Sequence, residues 1–322
     1  MTLRLAFFLA CRAAVAGPVI VAAVPKPEFS FTMENVCGLS GLTWCRDDLY
    51  FAVSDRLQAI VPLRISLDPA TGGIIAAKGE TVVPLKTALE DFEDIAWDAA
   101  SNQVFISSEK PAAIAGFALN GKPGPMVNLP GVFLKARRNL SLESLTKNAT
   151  VARAWTANED ALPADGAVSS PEAGALVRLQ EFDAGWKPLR QVAWRAEKSG
   201  ARFGGSGTGV SGLCLLDDGS LLVMERVVIG VTLEVRLFLA DCTGATDTTT
   251  LAGLSGVAVT AAQKHLLYRK TTGLTNWEGL AAGPRLADGS QSLILIADSG
   301  KGKVHSLLAL KVQSEANRDA KN

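Results

Sequence analysis

The chain has 322 residues, enough for one large domain or two ordinary ones, and enough to bury a hydrophobic core. It carries 32 basic and 32 acidic side chains, so the formal net charge is zero, and no basic patch supports binding to nucleic acid or to an acidic lipid surface. Hydrophobic residues make up 48%, and 30 glycines and 14 prolines supply frequent turns, as in globular proteins.

The first predicted element is an export signal over residues 1–23. An early cation precedes two apolar runs that only Arg12 interrupts. The small-residue sequence at 14–16 matches the cleavage site of a secretory signal, so we expect cleavage after Ala16 or after Ala23 and a periplasmic or secreted protein. The alternative interpretation of this segment is an apolar first strand. No later apolar run is long enough to span a bilayer, so no membrane association is expected after signal removal.

Four cysteines follow the signal, and an exported protein permits them to form disulfides. Their spacing contains no CxxC pair, and the chain has only two histidines, so the cysteines do not form a metal-binding pattern. We expect buried free thiols or one bridge among Cys37, Cys45, Cys214 and Cys242.

A repeat then runs along the rest of the chain. Each copy has a small or acidic residue, a short apolar strand, a polar turn, a second apolar strand and a carboxylate, which is typical of a β-hairpin. The five copies are SGLTWCRDDLYFAVSDR (40–56), EDIAWDAASNQVFISSEK (93–110), ESLTKNATVARAWTANE (143–159), SGLCLLDDGSLLVMER (211–226) and EGLAAGPRLADGSQSLILIADS (278–299).

Further pairs of apolar strands lie between these hairpins. Four-stranded units repeating in this way predict an all-β fold, a β-propeller of five or six blades, as a single domain over residues 24–312. The last unit lacks a fourth strand, so residues 28–33 near the N-terminus are expected to supply it and close the ring. Residues 254–270 are a possible sixth, degenerate hairpin, and residues 313–322 are expected to form a disordered tail.

Carboxylates recur at the ends of these hairpins. The start of the first strand and the end of the second are cross-strand neighbours in an antiparallel hairpin, so a propeller would gather these residues at one mouth of its central channel. The predicted ring consists of Asp55, Glu93, Glu109, Glu143, Glu159, Glu225, Glu278 and Asp298.

The repulsion among the carboxylates of such a ring must be offset, because neighbouring like charges destabilise the fold. Protonation, pairing with Arg56, Lys110 or Arg226, or a bound cation would each offset it. An oxygen-only set without histidine or cysteine suits Ca²⁺ and disfavours zinc. We therefore predict that the eight carboxylates are ligands of a calcium site, with a solvated acidic rim as the alternative.

Several of these segments resemble the phytase-like esterase family of secreted bacterial proteins. The resemblance covers residues 36–310 and is most specific in NWEGLAAGPRLADG. It implies an exported propeller loosely related to the calcium-dependent propeller phytases, with esterase or phosphoesterase-like activity at the eight acidic positions and the neighbouring cations. Two departures are Asp94 and Ser144, which stand where the motif usually has glycine and put the local backbone turn in doubt.

The resulting hypothesis is a calcium-dependent hydrolase of small phosphate or carboxylic esters that acts as a monomer. Glu93 and Glu278 are its predicted catalytic carboxylates, one of which takes a proton from water. Arg56 and Arg226 are its predicted substrate-binding cations. The alternative hypothesis is a non-catalytic propeller that binds a ligand or protein and holds a structural calcium ion.

Overall fold

A computed structural model describes residues 19–201 and 207–314, which form strands, turns and one short 3-10 turn. The predicted tail, residues 313–322, lies outside the described residues from 315 onward, and its first two residues belong instead to the last strand; most of the predicted signal also lies outside the described residues. In chain order the strands are β1 (Val19–Thr32), β2 (Leu39–Arg46), β3 (Leu49–Ser54), β4 (Ala59–Leu67), β5 (Ile74–Gly79), β6 (Val83–Pro84), β7 (Glu90–Asp98), β8 (Gln103–Lys110), β9 (Ala112–Ala118), β10 (Pro123–Met126), β11 (Leu142–Asn148), β12 (Arg153–Asn158), β13 (Leu176–Asp183), β14 (Pro188–Arg195), β15 (Gly200–Ala201), β16 (Gly209–Leu215), β17 (Leu221–Gly230), β18 (Thr232–Asp241), β19 (Gln263–Gly273), β20 (Asn276–Arg285), β21 (Gln291–Asp298) and β22 (Val304–Ser314).

The strands form five antiparallel blades of a β-propeller. Blades 1 to 3 are β2–β5, β7–β10 and β11–β14, blade 4 is β16–β19, and blade 5 is β20–β22 with β1. The five hairpin repeats supply the two inner strands of the blades, so the all-β propeller prediction is confirmed with five blades. The candidate sixth hairpin does not form, because Gln263–Gly273 pairs with β18 as the outer strand of blade 4.

The N-terminal strand closes the ring as predicted, since Glu28–Thr32 pair with Val304–Leu308 of β22. The same strand begins earlier than expected, because Val19–Ala23 also pair with β22, opposite Leu310–Ser314. Val19 is buried in the apolar layer between blades 4 and 5. The last five residues of the predicted signal are therefore part of the blade.

Apolar side chains pack between the blades in five separate clusters, one for each pair of neighbouring blades. Burying apolar surface on both faces of every sheet holds each blade against the next and fixes the inner strands around the channel. Four tryptophans of the hairpin repeats contribute to these clusters. They are Trp44, Trp97, Trp155 and Trp277.

The innermost strand of every blade carries a β-bulge at the same place, near its start. The pairing register shifts after Leu39, Phe92, Leu142, Val210 and Trp277. A bulge inserts one extra residue and re-aims its side chain. In this protein it directs the residue that follows the shift toward one end of the channel.

Glycine follows the bulge in blades 1, 4 and 5, where neighbouring inner strands approach closely. A Cβ on Gly41 would lie 2.5 Å from the Asp94 Cα, and a Cβ on Gly279 would lie 2.9 Å from the Ser40 carbonyl oxygen. Both contacts are with backbone atoms, which cannot move aside independently. The glycines thus allow the inner strands to close into a narrow ring.

Of the two expected alternatives, buried free thiols or one bridge, the described residues show free thiols, although only Cys214 is buried and Cys37, Cys45 and Cys242 are half-buried. Cys214 is buried between blades, and burial raises the pKa of its thiol to about 12, so it remains protonated. Within residues 19–201 and 207–314, no helix has the length and hydrophobicity that a membrane crossing requires.

Candidate metal and active site at the channel mouth

The bulged ends of the inner strands surround a polar cavity of about 300 Å³ at one mouth of the channel. We refer to this cavity as the mouth. Eight carboxylates and three cations line it, so its formal charge is −5 when all are ionised. The lining residues are Asp55, Arg56, Asp91, Glu93, Glu109, Lys110, Asn139, Glu143, Glu159, Arg226, Glu278 and Asp298.

Each blade presents two side-chain positions to this end of the channel. The first is the bulged residue of the innermost strand, and the second lies where the next strand reaches the mouth. The first position holds Ser40, Glu93, Glu143, Ser211 and Glu278 in blades 1 to 5. The second position holds Asp55, Glu109, Glu159, Arg226 and Asp298. The two serines bond to the backbone of the next blade, through the carbonyl oxygens of Phe92 (2.7 Å) and Trp277 (3.3 Å).

Seven of the eight predicted carboxylates therefore meet at the mouth, and Glu225 does not. Its buried carboxylate accepts hydrogen bonds from Trp194 Nε1 (2.7 Å), the Glu197 amide (2.8 Å) and Lys264 Nζ (2.7 Å), between blades 3 and 4. Successive strand residues point to opposite faces, so Arg226 takes the mouth position instead. The prediction of Glu225 as a ring member is corrected on this ground.

The number of positions between the two mouth residues of a hairpin indicates that Arg226, and not Glu225, faces the mouth. Ser40 and Asp55 are 15 positions apart, whereas Ser211 and Glu225 are only 14 apart. A change of one residue moves a strand side chain to the other face. Counting 15 positions from Ser211 leads to Arg226.

Asp91 is a mouth residue that the sequence analysis did not select. Its position two residues before Glu93 places both side chains on the same face of β7, which is the signal that identifies it. Carboxylate oxygens of Asp91, Glu93 and Glu109 all lie within 4.8 Å of one another. The backbone of Asp91 has a φ of 59°, a left-handed conformation that is unfavourable for a residue with a side chain and that often marks functional sites.

Burial and mutual repulsion raise the pKa values of most mouth carboxylates. Burial is the largest cause in each case, and it raises the pKa of Asp55 to about 6 and those of Glu109 and Glu278 to about 7. For Glu93 and Glu143, burial and the charges of neighbouring glutamates raise the pKa well above the ordinary value. The mouth therefore favours the uptake of protons or cations.

The three cations of the mouth differ in exposure. The Arg56 side chain is 49% exposed and its Nε lies 2.8 Å from Asp55 Oδ2, and Lys110 is 38% exposed with its Nζ 2.5 Å from Asp91 Oδ2. Arg226 is only 15% exposed and pairs with Glu159 and with Glu278 Oε1 (3.0 Å). Arg56 and Lys110 are thus accessible from solvent, whereas Arg226 belongs to the wall of the cavity.

Some mouth carboxylates have oxygens without a partner. The side chain of Glu143 is buried, with 7% of the residue exposed, and no hydrogen bond or ion pair joins it to another of the described residues. Asp55 Oδ1 is likewise buried and unpartnered within residues 19–201 and 207–314. These oxygens are available to a cation or a proton.

A further carboxylate, Asp94, lies below the mouth and has a structural role. It is 1% exposed and accepts hydrogen bonds from the amide of the adjacent Ile95 (2.8 Å) and from the amide of Leu145 (2.7 Å), and the second of these bonds joins blades 2 and 3. The bulge forms in blade 2 as in the others, so replacing glycine by Asp94 leaves the local turn intact. Blade 3 forms the same bulge with Ser144 at that place.

Comparisons with solved structures find several chains of low similarity. The nidogen/laminin complex has 11% identity and a TM-score of 0.40, with 87% of this chain and 88% of that chain covered. A gluconolactonase from Xanthomonas campestris has 14% identity and a TM-score of 0.39, with 94% and 100% covered. A streptogramin B lyase has 11% identity and a TM-score of 0.39, with 89% and 97% covered. Similarities this low do not allow a function to be transferred.

A search of curated proteins finds no match to this chain. A family model does match: the phytase-like family, described as esterase-like activity of phytase, aligns with residues 34–299. These residues include all five blades' inner strands and every residue that lines the mouth. The chain is therefore a hydrolase-like propeller that belongs to the phytase-like family.

Proposed function

We propose that the protein is an exported, calcium-dependent hydrolase of phosphate or carboxylic esters and that the mouth is its active site. The observation that carries this proposal is the group formed by Asp91, Glu93 and Glu109, whose oxygens lie within 4.8 Å of one another in a chain of the phytase-like family. The signal-like sequence of residues 1–23 supports export to the periplasm or the medium.

The donor set of the mouth fits calcium. Ca²⁺ takes six to eight oxygen ligands at about 2.3–2.6 Å, so two of its ligands are at most about 5 Å apart. The oxygens of Asp91, Glu93 and Glu109 satisfy this limit, and the unpartnered oxygens of Asp55 and Glu143 belong to the same cavity. When bound, Ca²⁺ would supply positive charge that stabilises negative charge on the ester oxygens.

Glu278 is suited to proton transfer. Asn276 Nδ2 (2.5 Å) and Arg226 Nη1 (3.0 Å) donate to its Oε1 and fix the side chain, while its Oε2 makes no hydrogen bond within the described ranges. Burial raises its pKa to about 7, so near neutral pH it can accept a proton from the attacking water and return it to the leaving group.

Arg56 and Lys110 are suited to hold an anionic substrate, because both are partly exposed and face the mouth. A groove of about 400 Å³ between blades 1 and 2 shares these two cations with the mouth. It can accommodate the part of the ester that is not cleaved. Arg226 was expected to bind substrate as well, but its donors are occupied by the wall of the mouth, so we assign it no direct contact with substrate.

Hydrolysis of chromogenic esters tests this function. We expect the mature protein to hydrolyse p-nitrophenyl phosphate, bis(p-nitrophenyl) phosphate or a p-nitrophenyl carboxylate with Ca²⁺ but not with EDTA. Glu93→Gln should lower kcat/KM by about 100-fold or more, because it removes a ligand of the proposed calcium site. Glu225→Gln is the matched control: it neutralises a carboxylate of the same strand-end motif that lies outside the mouth, so calcium-dependent turnover should persist.

Two results would contradict the proposal. Turnover that is unchanged in EDTA and in Glu93→Gln would exclude the mouth as a calcium-dependent active site. Calcium-dependent stability without hydrolysis of any of the three ester classes would instead favour a non-catalytic binding propeller with a structural calcium ion.

A further inference from the structure

The pairing register shows that Arg226 occupies a carboxylate position. In blade 4, Gly209 pairs with Arg226, and in blade 5, Asn276 pairs with Asp298 at the same place. The other three blades also present a carboxylate there, as Asp55, Glu109 and Glu159. Blade 4 alone among the five thus replaces an anion by a cation at this position.

Arg226 is held by its neighbours on three sides. Its Nε donates to the Gly207 carbonyl oxygen (2.9 Å), its Nη1 donates to Asn276 Oδ1 (3.1 Å) and Glu278 Oε1 (3.0 Å), and its Nη2 donates to Glu159. The guanidinium therefore satisfies two buried carboxylates at once. From its fixed position in the wall, the guanidinium neutralises these two carboxylates, as a bound metal ion would.

Arg226 acts on the other two buried glutamates of the mouth through its charge at a distance and not through a direct contact. Glu93 and Glu143 occupy the same bulge position as Glu278, yet no arginine or lysine pairs with either of them within the described residues. The buried, unpartnered carboxylate of Glu143 points into the cavity. The mouth thus has one part in which Arg226 contacts Glu159 and Glu278, and a second part, formed by Asp91, Glu93 and Glu109 of blade 2, in which the only direct ion pair among the described residues joins Lys110 to Asp91 at the rim.

From this division we infer that Arg226 takes the place of a second metal ion, so that the mouth binds one Ca²⁺, on the side formed by Asp91, Glu93 and Glu109. The inference rests on the calcium binding proposed above and specifies its stoichiometry and location. Arg226 is a positioning residue in this account, because it acts through Glu159 and Glu278 and does not contact the ester.

Calcium titration by calorimetry of the full chain, stripped of metal, measures this stoichiometry. We expect one Ca²⁺ per wild-type chain and two per chain for Arg226→Gln, because the substitution leaves Glu159 and Glu278 without a counter-charge. Arg226→Lys keeps the charge and should bind one. Arg56→Gln removes a half-exposed cation from the rim and should also bind one, since Asp55 is the only ion-pair partner of Arg56 among the described residues.

The effect of Ca²⁺ on the folding of Arg226 variants also tests the inference. Arg226→Glu restores the carboxylate found in the other four blades, and both it and Arg226→Gln are expected to refold when Ca²⁺ is added. In EDTA, Arg226→Gln should lower the unfolding midpoint by about 4 °C or more, as for a broken buried ion pair, and Arg226→Lys should recover part of that loss.

The outcomes separate this inference from the proposed function. Two calcium ions per wild-type chain, or one in both wild type and Arg226→Gln, would overturn the inference while calcium binding itself stands. Failure of both variants to fold with Ca²⁺ would also overturn it, since an ion could not then replace the guanidinium. No calcium binding by any variant would overturn the inference together with the proposed function.

Discussion

Glu143 is a buried carboxylate whose electrostatic environment destabilises the native state. Its carboxylate is buried near Glu93, Glu159 and Glu278, which add repulsion to the cost of burial, and the charge of Arg226 offsets only part of that cost. A buried group without a hydrogen-bond partner destabilises the native state. A role in binding a cation or another ligand at the mouth would explain why a destabilising carboxylate stands at this position.

At the residue scale we predict that Glu143→Gln stabilises the metal-free protein. In EDTA, replacing this carboxyl group, whose charged form is disfavoured by burial and by the neighbouring glutamates, should increase the free energy of unfolding by about 1–3 kcal/mol. Glu159→Gln is the matched control and should be destabilising, because it breaks the pair with Arg226. Chemical denaturation measures both variants, and a loss of stability of equal size in the two would show that Glu143 is partnered in the native state.

The raised pKa values predict how stability depends on pH. Asp55 rises from 3.8 to about 6, and Glu109 and Glu278 rise from 4.5 to about 7, so the folded state binds more protons than the unfolded state between these values. Their contribution is fully present below about pH 4 and is lost as the pH rises to about 7. The unfolding temperature of the metal-free protein should therefore decrease as the pH is raised from about 5 to about 7.5, which is about the range that these pKa values span. Added Ca²⁺ should remove this decrease. A midpoint that rises over this range without metal would contradict the assignment.

The positions of hairpin ends and the alternation of side chains along a strand were enough to predict most residues of the mouth. Seven carboxylates were found because they end hairpins, and Asp91 follows from the alternation of β7. Glu225 was predicted wrongly because the pairs Asp55-Arg56 and Glu225-Arg226 look equivalent in the sequence. The acidic residue faces the mouth in the first pair, whereas the arginine does so in the second. Pairing across the sheet decides which of the two side chains faces the channel.

The inner strand with its bulge is the element that builds the site, and it depends on glycine. Gly279→Ala should lower the free energy of unfolding by about 1–3 kcal/mol, since its Cβ would meet backbone atoms of Ser40 and Gly41. Gly131→Ala is the control, because nothing lies within 4 Å of a Cβ there. Denaturant unfolding of both variants measures the difference. Equal stability of the two would show that the inner strands are less closely packed than described.

The first strand predicts where an export signal can be cut. Val19–Ala23 pair with β22, and Val19 and Val21 are buried, so cleavage after Ala23 would remove a paired and packed segment of blade 5. We therefore predict cleavage after Ala16, which leaves the whole strand intact. Intact-mass measurement of the exported protein identifies the mature N-terminus, and a chain that begins at Val24 would contradict this prediction.

Elements were more predictable from the sequence than their bulges. Each hairpin shows apolar strands and a polar turn, and these local features identified the inner strands of all five blades. A bulge leaves no comparable local signal, since it depends on how one strand registers with the next. Residues 254–270 were difficult for a related reason, because β19 has its partner, β18, across a loop of more than 20 residues, Cys242–Ala262.

The whole molecule explains how so many carboxylates can be held together. Five apolar clusters between the blades fix the inner strands, and each blade delivers its two mouth positions from a rigid sheet. Packing of the blades therefore offsets the repulsion among eight carboxylates facing three cations. A scaffold of this kind can keep a binding site assembled before its ligand arrives.

Thermal unfolding with and without Ca²⁺ tests the central claim, that the mouth binds calcium, most directly. At 100 times its dissociation constant, one bound ion adds about 2.7 kcal/mol, which should raise the midpoint by about 5 °C. Mg²⁺ should produce a smaller rise, because it prefers to retain its water ligands. The rise should disappear in Glu93→Gln and persist in Glu225→Gln. Identical midpoints in EDTA and in saturating Ca²⁺ would contradict the account and leave the mouth balanced by protons and by its own cations.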